Sequence, residues 1–376
     1  MRARYILVPG TGGSRLLAGG SDIGWPNARQ VQRWIASEDM FDRIREATGL
    51  QPEKAAALLS LVPAADSGRL RATAPRVRRP LTVGPLLPMA YTAYLQYRHF
   101  PYDWRDDLVT SARHLLDLLG EGKGEARRWR IMAHGQGALV VVVASKLAAE
   151  DRDGDAAAFS SIVSRVVLLA PPLAGTLRAV NLLANGEDVG PHAQLVATFA
   201  SSWPAVYQML PTWPSALRRS QSAGKETSQD AAGFFDPGCW KGTAVRPALL
   251  DRARRTHRRY LVGPLSCMSG VDCRIVLSRS HVTGSHVGVS DKGLGIPARD
   301  EPGDGVVPAD STVAVLDPAE RFVCQMMGKG KQTLPHAYLA DDPVAAAFVH
   351  EFLEDDPANP ASHRTGRKSR ASRPPS

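Results

Sequence analysis

The chain has 376 residues, 44% of them apolar, and a formal charge of +9 at pH 7. That length supports one large core, or a core domain with a sizeable insertion, and no window approaches the roughly eighteen consecutive apolar residues that read as a membrane span. Much of the charge is local: residues 357–376 carry Arg364, Arg367, Lys368, Arg370 and Arg373 with no acid, among Pro and Ser. Such a composition predicts a disordered, solvated tail rather than a binding arm, so no nucleic acid is expected as a partner.

The opening "MRARYILVPG" enters a strand within four residues. It lacks the apolar stretch and small-residue cleavage site of a secretory signal, so a cytoplasmic location is expected. Cys239, Cys267, Cys273 and Cys324 fit that setting as reduced thiols, with a disulfide inside 239–273 left open. The short cysteine pairings of zinc sites are absent, and no metal or cofactor is expected.

Short apolar runs alternate with helical stretches, the signature of an α/β protein with a mostly parallel sheet. The first strand is "RYILV" (4–8), and it runs into a glycine-rich loop, "LVPGTGGS" (7–14). Glycines there let backbone N–H groups approach a ligand, as in an oxyanion hole or a phosphate cradle. The lysine of a nucleotide-binding phosphate loop is missing. Residues 20–80 hold Trp25 and Trp34 and break the alternation; with 180–262, which hold Trp203, Trp213 and Trp240, they read as cap insertions. The cap tryptophans suit an acyl channel, a membrane surface or simple packing.

"FPYDWRDD" (100–107) offers Tyr102, Asp103, Trp104 and Arg105, read as a buried Asp–Arg pair beneath an aromatic lid that supports neighbouring loops. A helix is predicted over 108–119, a strand over 130–133, and a second helix over 138–149. Between the last two lies "AHGQG" (133–137), with small residues at 133, 135, 137 and 138. Those permit the sharp strand-to-helix turn of a nucleophile elbow, G-x-S-x-G, but the position where the side chain projects is Gly135. Ser14 and Ser145 are not placed like elbow residues and read as structural. Further strands are predicted at 165–170, 273–278 and 321–326, a loop at 279–303 and a helix at 343–353. His281 and His286 in that loop lack a third spaced ligand for a metal. Asp304 in "GDGVVPADS" (303–311) and His336 in "LPHAYLADDP" (334–343) follow the elbow in the order of an α/β-hydrolase triad.

These segments together resemble the lecithin:cholesterol acyltransferase family of α/β-hydrolases, which includes lysosomal phospholipase A2 and phospholipid:diacylglycerol acyltransferases. The resemblance spans about 4–353 and rests on "ILVPGTGGSRL", "FPYDWRDD", "APPLAGT" (170–176), "SSWPAVYQMLP" (201–211) and the acid and histidine segments. It implies an α/β-hydrolase core over 1–20, 81–180 and 263–353, caps over 21–80 and 181–262, and a basic tail over 354–376. It further implies Asp304 as triad acid, His336 as triad base, and backbone N–H groups near Gly12 and at Gln136 as oxyanion hole. The expected partner is a small acyl ester or lipid, with peripheral membrane contact through the cap. The family's serine falls on Gly135, where no side chain can attack an ester or hold an acyl group. The chain therefore reads either as an acyltransferase, phospholipase or esterase scaffold that is disabled or very slow, or as a non-catalytic pseudo-hydrolase that binds a ligand or a partner.

Overall fold

The computed structural model describes residues 4–18, 21–22, 71–73, 91–94, 96–121, 128–155, 157–186, 193–220, 226–229, 231–290, 293–319, 324–327 and 333–354. Trp25, Trp34, the first three residues of the strand predicted at 321–326, and the basic tail beyond 354 lie outside them.

Six strands form one parallel sheet: β1 (Arg4–Val8), β2 (Arg98–His99), β3 (Trp129–His134), β4 (Val163–Leu169), and two that follow a long intervening segment, Asp272–Ser278 and Cys324–Met327. Their order across the sheet runs Cys324–Met327, Asp272–Ser278, β4, β3, β1, β2. Both faces are covered over the four inner strands, which carry the apolar runs Ile6–Val8, Ile131–Ala133, Val166–Leu169 and Ile275–Leu277 rather than an alternating pattern, while the edge strands Arg98–His99 and Cys324–Met327 are polar or largely unburied. Ile6, Ile131, Val166 and Ile275 point into one core, while Leu7, Met132, Val167 and Val276 point into a second on the opposite face.

The helices that follow the strands fill those faces. α1 (Leu108–Gly120) starts where the Asp107 carboxylate accepts the Val109 N–H, an N-cap worth about 1 kcal/mol. α2 (Gln136–Glu150) packs against α1, and every residue from Gln136 to Ser145 is buried. Its four consecutive valines are poor helix formers, so burial on all sides rather than propensity holds them helical. α3 (Leu177–Asn185) is capped by the Thr176 hydroxyl, and the C-terminal helix Pro343–Glu354 closes the second face over Val167 and Leu169.

The segment 279–303, expected as a loop, instead carries three strands among its described residues: Gly293–Leu294 and Ala298–Gly303 both pair antiparallel with His281–Ser290. Thr283, Ser285, Val287 and Val289 are buried in alternation. Glycines and serines thin out that period-two pattern, which is why it reads as irregular in the sequence. Leu217–Ser220 pairs parallel with the same strand, joining the 181–262 segment to it through a second sheet. Trp203 and Trp240 are buried and Trp213 is half-buried; Trp203 stacks edge-on against Trp104, and Trp213 donates to Ser285 O. No disulfide joins the four cysteines. Among the described residues no helix is long and apolar enough to cross a membrane.

Candidate active site

In a parallel sheet the loops after the strands gather at one edge, and that is where the site lies. β1 and β3 are register neighbours, Val8 opposite Ala133, so the glycine loop and the elbow emerge side by side. The elbow turns at Gly135, with φ 53° and ψ −123°, a backbone conformation that side-chain-bearing residues rarely adopt. Two residues on, a Cβ at Gly137 would stand 2.5 Å from both Val8 O and Pro9 O, so only glycine lets α2 begin this close to β1.

Gly135 N–H donates to Leu169 O at 2.9 Å, tying the turn to β4. A Cβ built on Gly135 would point at His336, 3.0 Å from Nε2 and 3.4 Å from Cε1. On the other side of that ring, Nδ1 donates to Asp304 Oδ2 at 2.7 Å. A carboxylate can only accept, so Nδ1 carries a proton, and in the neutral form of the ring the Nε2 lone pair is on the side of Gly135. Asp304 is 1% exposed. Burial alone would raise its pKa, but the His336 ring and the N–H groups of Val306 and Val307, 2.9 and 2.7 Å from Oδ1, hold it below the usual carboxylate range. The His336 N–H also donates to Asp304 O at 2.9 Å, locking the two loops together. Elbow, acid and histidine, spread over more than two hundred residues of sequence, thus meet at one point.

The glycine loop closes as a turn, Gly13 N–H donating to Gly10 O at 2.9 Å with Gly12 at φ 75°. Gln136 is the first residue of α2, where backbone N–H groups have no partner inside the helix. Its buried side chain joins three segments: Oε1 accepts from Thr11 Oγ1 at 2.7 Å, and Nε2 donates to Trp104 O at 2.8 Å. The two residues expected to supply oxyanion N–H groups, Gly12 and Gln136, are therefore held on adjoining segments. The "FPYDWRDD" segment props this loop from below. Tyr102 OH donates to Pro9 O at 2.8 Å and Trp104 Nε1 to Ser14 O at 3.2 Å, while Arg105, 2% exposed, grips Asp103 at 2.6 and 2.9 Å. Ser14 accepts from Tyr102 N and Ser145 donates to Val142 O, so both serve structure. His281 Nε2 meets Thr333 O at 2.7 Å and His286 Nδ1 meets Ser285 Oγ at 2.9 Å.

Two residues that sequence reasoning passed over stand in the same site. His134, next to the elbow, lies against the His336 ring, and its Nδ1 is 2.9 Å from Tyr91 OH. Tyr91 OH also accepts the Gly10 N–H at 2.8 Å, so one phenol bridges the glycine loop and the elbow strand. Burial first, then the neighbouring His336, lowers the His134 pKa to about 3. Tyr91 is 81 residues from Gly10 and sits at φ 87°; nothing in its sequence surroundings marks it.

No protein-family model matches the chain, and no curated protein does. Solved structures do. Tle4 in complex with Tli4 is 14% identical over 94% of this chain and 98% of its own, with a TM-score of 0.50. The mature lipase BlEst2 of Bacillus licheniformis is 10% identical over 94% and 92%, with a TM-score of 0.40. Est1E of Butyrivibrio proteoclasticus with ferulic acid bound is 12% identical over 95% and 90%, with a TM-score of 0.36. At such identities the likeness concerns the fold, and with its six-stranded parallel sheet flanked by helices the chain has the α/β-hydrolase fold.

Proposed function

We propose that the chain is an ester-handling α/β-hydrolase scaffold of the lipase, esterase or phospholipase kind, with its acid–base pair intact and its nucleophile lost. One observation carries this reading: a Cβ on Gly135 would lie 3.0 Å from His336 Nε2, while Nδ1 of the same ring is 2.7 Å from Asp304. A serine at 135 would place its hydroxyl beside a base already oriented by a carboxylate. The hydroxyl proton would pass to Nε2, the oxygen would bond the ester carbon, and the leaving alcohol would take the proton back. Gly12 and Gln136 are the positions suited to donate N–H groups to the oxyanion.

The finer assignment is to an O-acyltransferase or phospholipase like those of the lecithin:cholesterol acyltransferase family, acting on a lipid or acyl ester in the cytoplasm, with the cap touching a membrane surface. It is supported by the "PYDWR" segment and the order of elbow, acid and histidine along the chain. In the present form no acyl-enzyme can form. A water held by His336 Nε2 is the remaining nucleophile, and sites stripped of one triad member retain only about 10³–10⁴-fold over the uncatalysed rate. A second reading, a pseudo-hydrolase that binds a ligand without turnover, is favoured by Gly135 itself.

A panel of p-nitrophenyl esters and phospholipids, assayed with this chain and with Gly135→Ser, tests the scaffold. Hydrolysis that appears only with the serine is the expected result. Silence of a folded Gly135→Ser across the panel overturns the ester-cleaving reading and leaves the binding one.

A further inference from the structure

A cleft of about 570 Å³ opens beside the Asp304–His336 pair. It is lined by Arg178, from the first turn of α3, and by His281 and Arg299, from the two paired strands 281–290 and 298–303. Pro335 and His336 are also on its lining. Gly135, Gly12 and Gln136 are not on its lining, so the cleft reaches the imidazole by a route other than the elbow.

Two features decide what fits there. The first is charge. Asp304 is the one carboxylate on the lining, and it is buried with both oxygens engaged by His336, Val306 and Val307. The arginines on the lining are an exposed Arg299, whose guanidinium also donates to Val282 O at 3.2 Å, and a half-buried Arg178. Guanidinium stays charged at any working pH and forks onto phosphate or carboxylate oxygens. The second is the rim. Of the six large apolar side chains exposed among the described residues, Val282 (61%) and Ile296 (70%) line this cleft, and Leu334 (36%) adjoins Pro335. Charge and exposed apolar surface together suit an anionic amphiphile.

Position says which part of the substrate belongs here. In ester cleavage the imidazole returns its proton to the departing alcohol, so that alcohol must lie against His336. The geometry points to this cleft as the seat of the leaving half of the substrate: an alcohol bearing a phosphate or carboxylate group, held by Arg178 and Arg299, with its apolar part over Val282 and Ile296. The assignment to a leaving half rests on the ester-cleaving reading; the anion site does not.

Binding can be measured on the chain as it stands, without turnover. Isothermal titration with octyl phosphate, octanoate and octyl glucoside, each below its micellar threshold, compares a phosphate, a carboxylate and a neutral head on one tail. At least one anion should bind about tenfold tighter than octyl glucoside, a difference of about 1.4 kcal/mol. Arg299→Gln should remove most of that preference and the Arg178→Gln/Arg299→Gln pair all of it, in proteins whose circular dichroism shows them folded. Arg254→Gln, on an exposed helix face elsewhere, should change nothing. Competition by inorganic phosphate marks the head as phosphate; octanoate binding that phosphate does not displace marks it as carboxylate. Equal affinity for all three ligands, or a preference that survives the double substitution, overturns the site. A silent Gly135→Ser with the anion preference intact removes the ester-cleaving reading alone. An active Gly135→Ser without the preference removes the anion site alone.

Discussion

The imidazoles of His134 and His336 lie against each other, centroids 4.7 Å apart with 32° between the planes, but each is held from a different side. His336 is anchored by the Asp304 carboxylate and His134 by the Tyr91 phenol. Two adjacent imidazolium ions would repel, and burial already keeps His134 neutral down to about pH 3. The consequence for stability has a definite sign. Below about pH 6.5 the unfolded chain protonates this histidine and the folded chain does not, so stability falls with pH until about 3, where both forms are protonated. His134→Phe keeps a flat ring in place and removes the titration. Urea unfolding between pH 6.5 and 4 should then show a shallower dependence, by up to about 1.4 kcal/mol per pH unit. His257, lowered by burial to about 4, adds its own separate slope and remains in both proteins. Equal slopes for the parent and His134→Phe would mean that His134 is not buried neutral.

Gly135 combines a backbone that resists side chains with the one direction in which a nucleophile would be useful. Its φ of 53° costs any residue with a Cβ about 1–3 kcal/mol, and the contact 3.0 Å from His336 Nε2 asks that ring to yield by a few tenths of an ångström. Gly135→Ala and Gly135→Ser should therefore both lose about 1–3 kcal/mol in chemical denaturation, and only the serine should gain ester hydrolysis. The alanine variant separates strain from chemistry. If neither substitution costs stability, the elbow is not strained, and glycine is not there for backbone reasons.

How far the sequence anticipates this arrangement differs from one element to the next. Arg4–Val8 is a strand at the very residues its apolar run indicates, and the helices at 108–120, 136–150 and 343–354 exceed their expected bounds by no more than two residues at either end. In each of them an apolar run or stripe coincides with a buried position in the fold, so pattern and tertiary position agree. The strand at 281–290 is hidden because Gly284, Gly288 and the serines dilute its alternation, and 298–303, ARDEPG, carries no apolar alternation at all and is a strand through its pairing with 281–286. Leu217–Ser220 shows no pattern of its own and is a strand through its pairing with Val287–Val289. At the site, residues in recognisable motifs were legible and their supports were not. Asp304 and His336 sit in short segments of distinctive composition, whereas Tyr91 reaches the Gly10 N–H and His134 only through the fold.

Asp304 does two jobs that one substitution separates. It fixes the His336 tautomer through Oδ2 and gathers the Val306 and Val307 N–H groups on Oδ1. Asp304→Asn keeps the shape but leaves an amide N–H2 facing either a ring N–H or two backbone N–H groups. In the Gly135→Ser protein kcat should fall by about 10⁴-fold, the loss known for the equivalent change in a serine protease. The pH dependence supplies a second reading. The carboxylate is held below its ordinary range, so its stabilisation is present in full above about pH 4 and is lost as pH falls through the lowered folded value. Asp304→Asn should be less stable than the parent at pH 6, and the gap should narrow toward pH 3. A gap that stays constant over that range would show that the carboxylate contributes no ionisation-linked stability.

Gln136 is the test of whether the glycine loop is positioned or merely adjacent. Its side chain spans from Thr11 Oγ1, on an exposed residue, to the carbonyl of the buried Trp104, and is itself 2% exposed. Gln136→Met fills nearly the same volume and breaks both hydrogen bonds, the one to the buried Trp104 carbonyl included, at a cost of about 1–3 kcal/mol. Thr11→Val breaks only the Thr11 bond. If the bond is a real tie, the two substitutions share it, and the stability loss of the double variant should fall short of the sum by about 0.5 kcal/mol or more. The same cycle run on kcat in the Gly135→Ser protein asks about function. A loop that sets the Gly12 N–H should lower kcat rather than raise KM when it is released, because the developing oxyanion exists only in the transition state. Additive losses in stability and an effect confined to KM would together show that the Thr11–Gln136 contact is packing without consequence for the site.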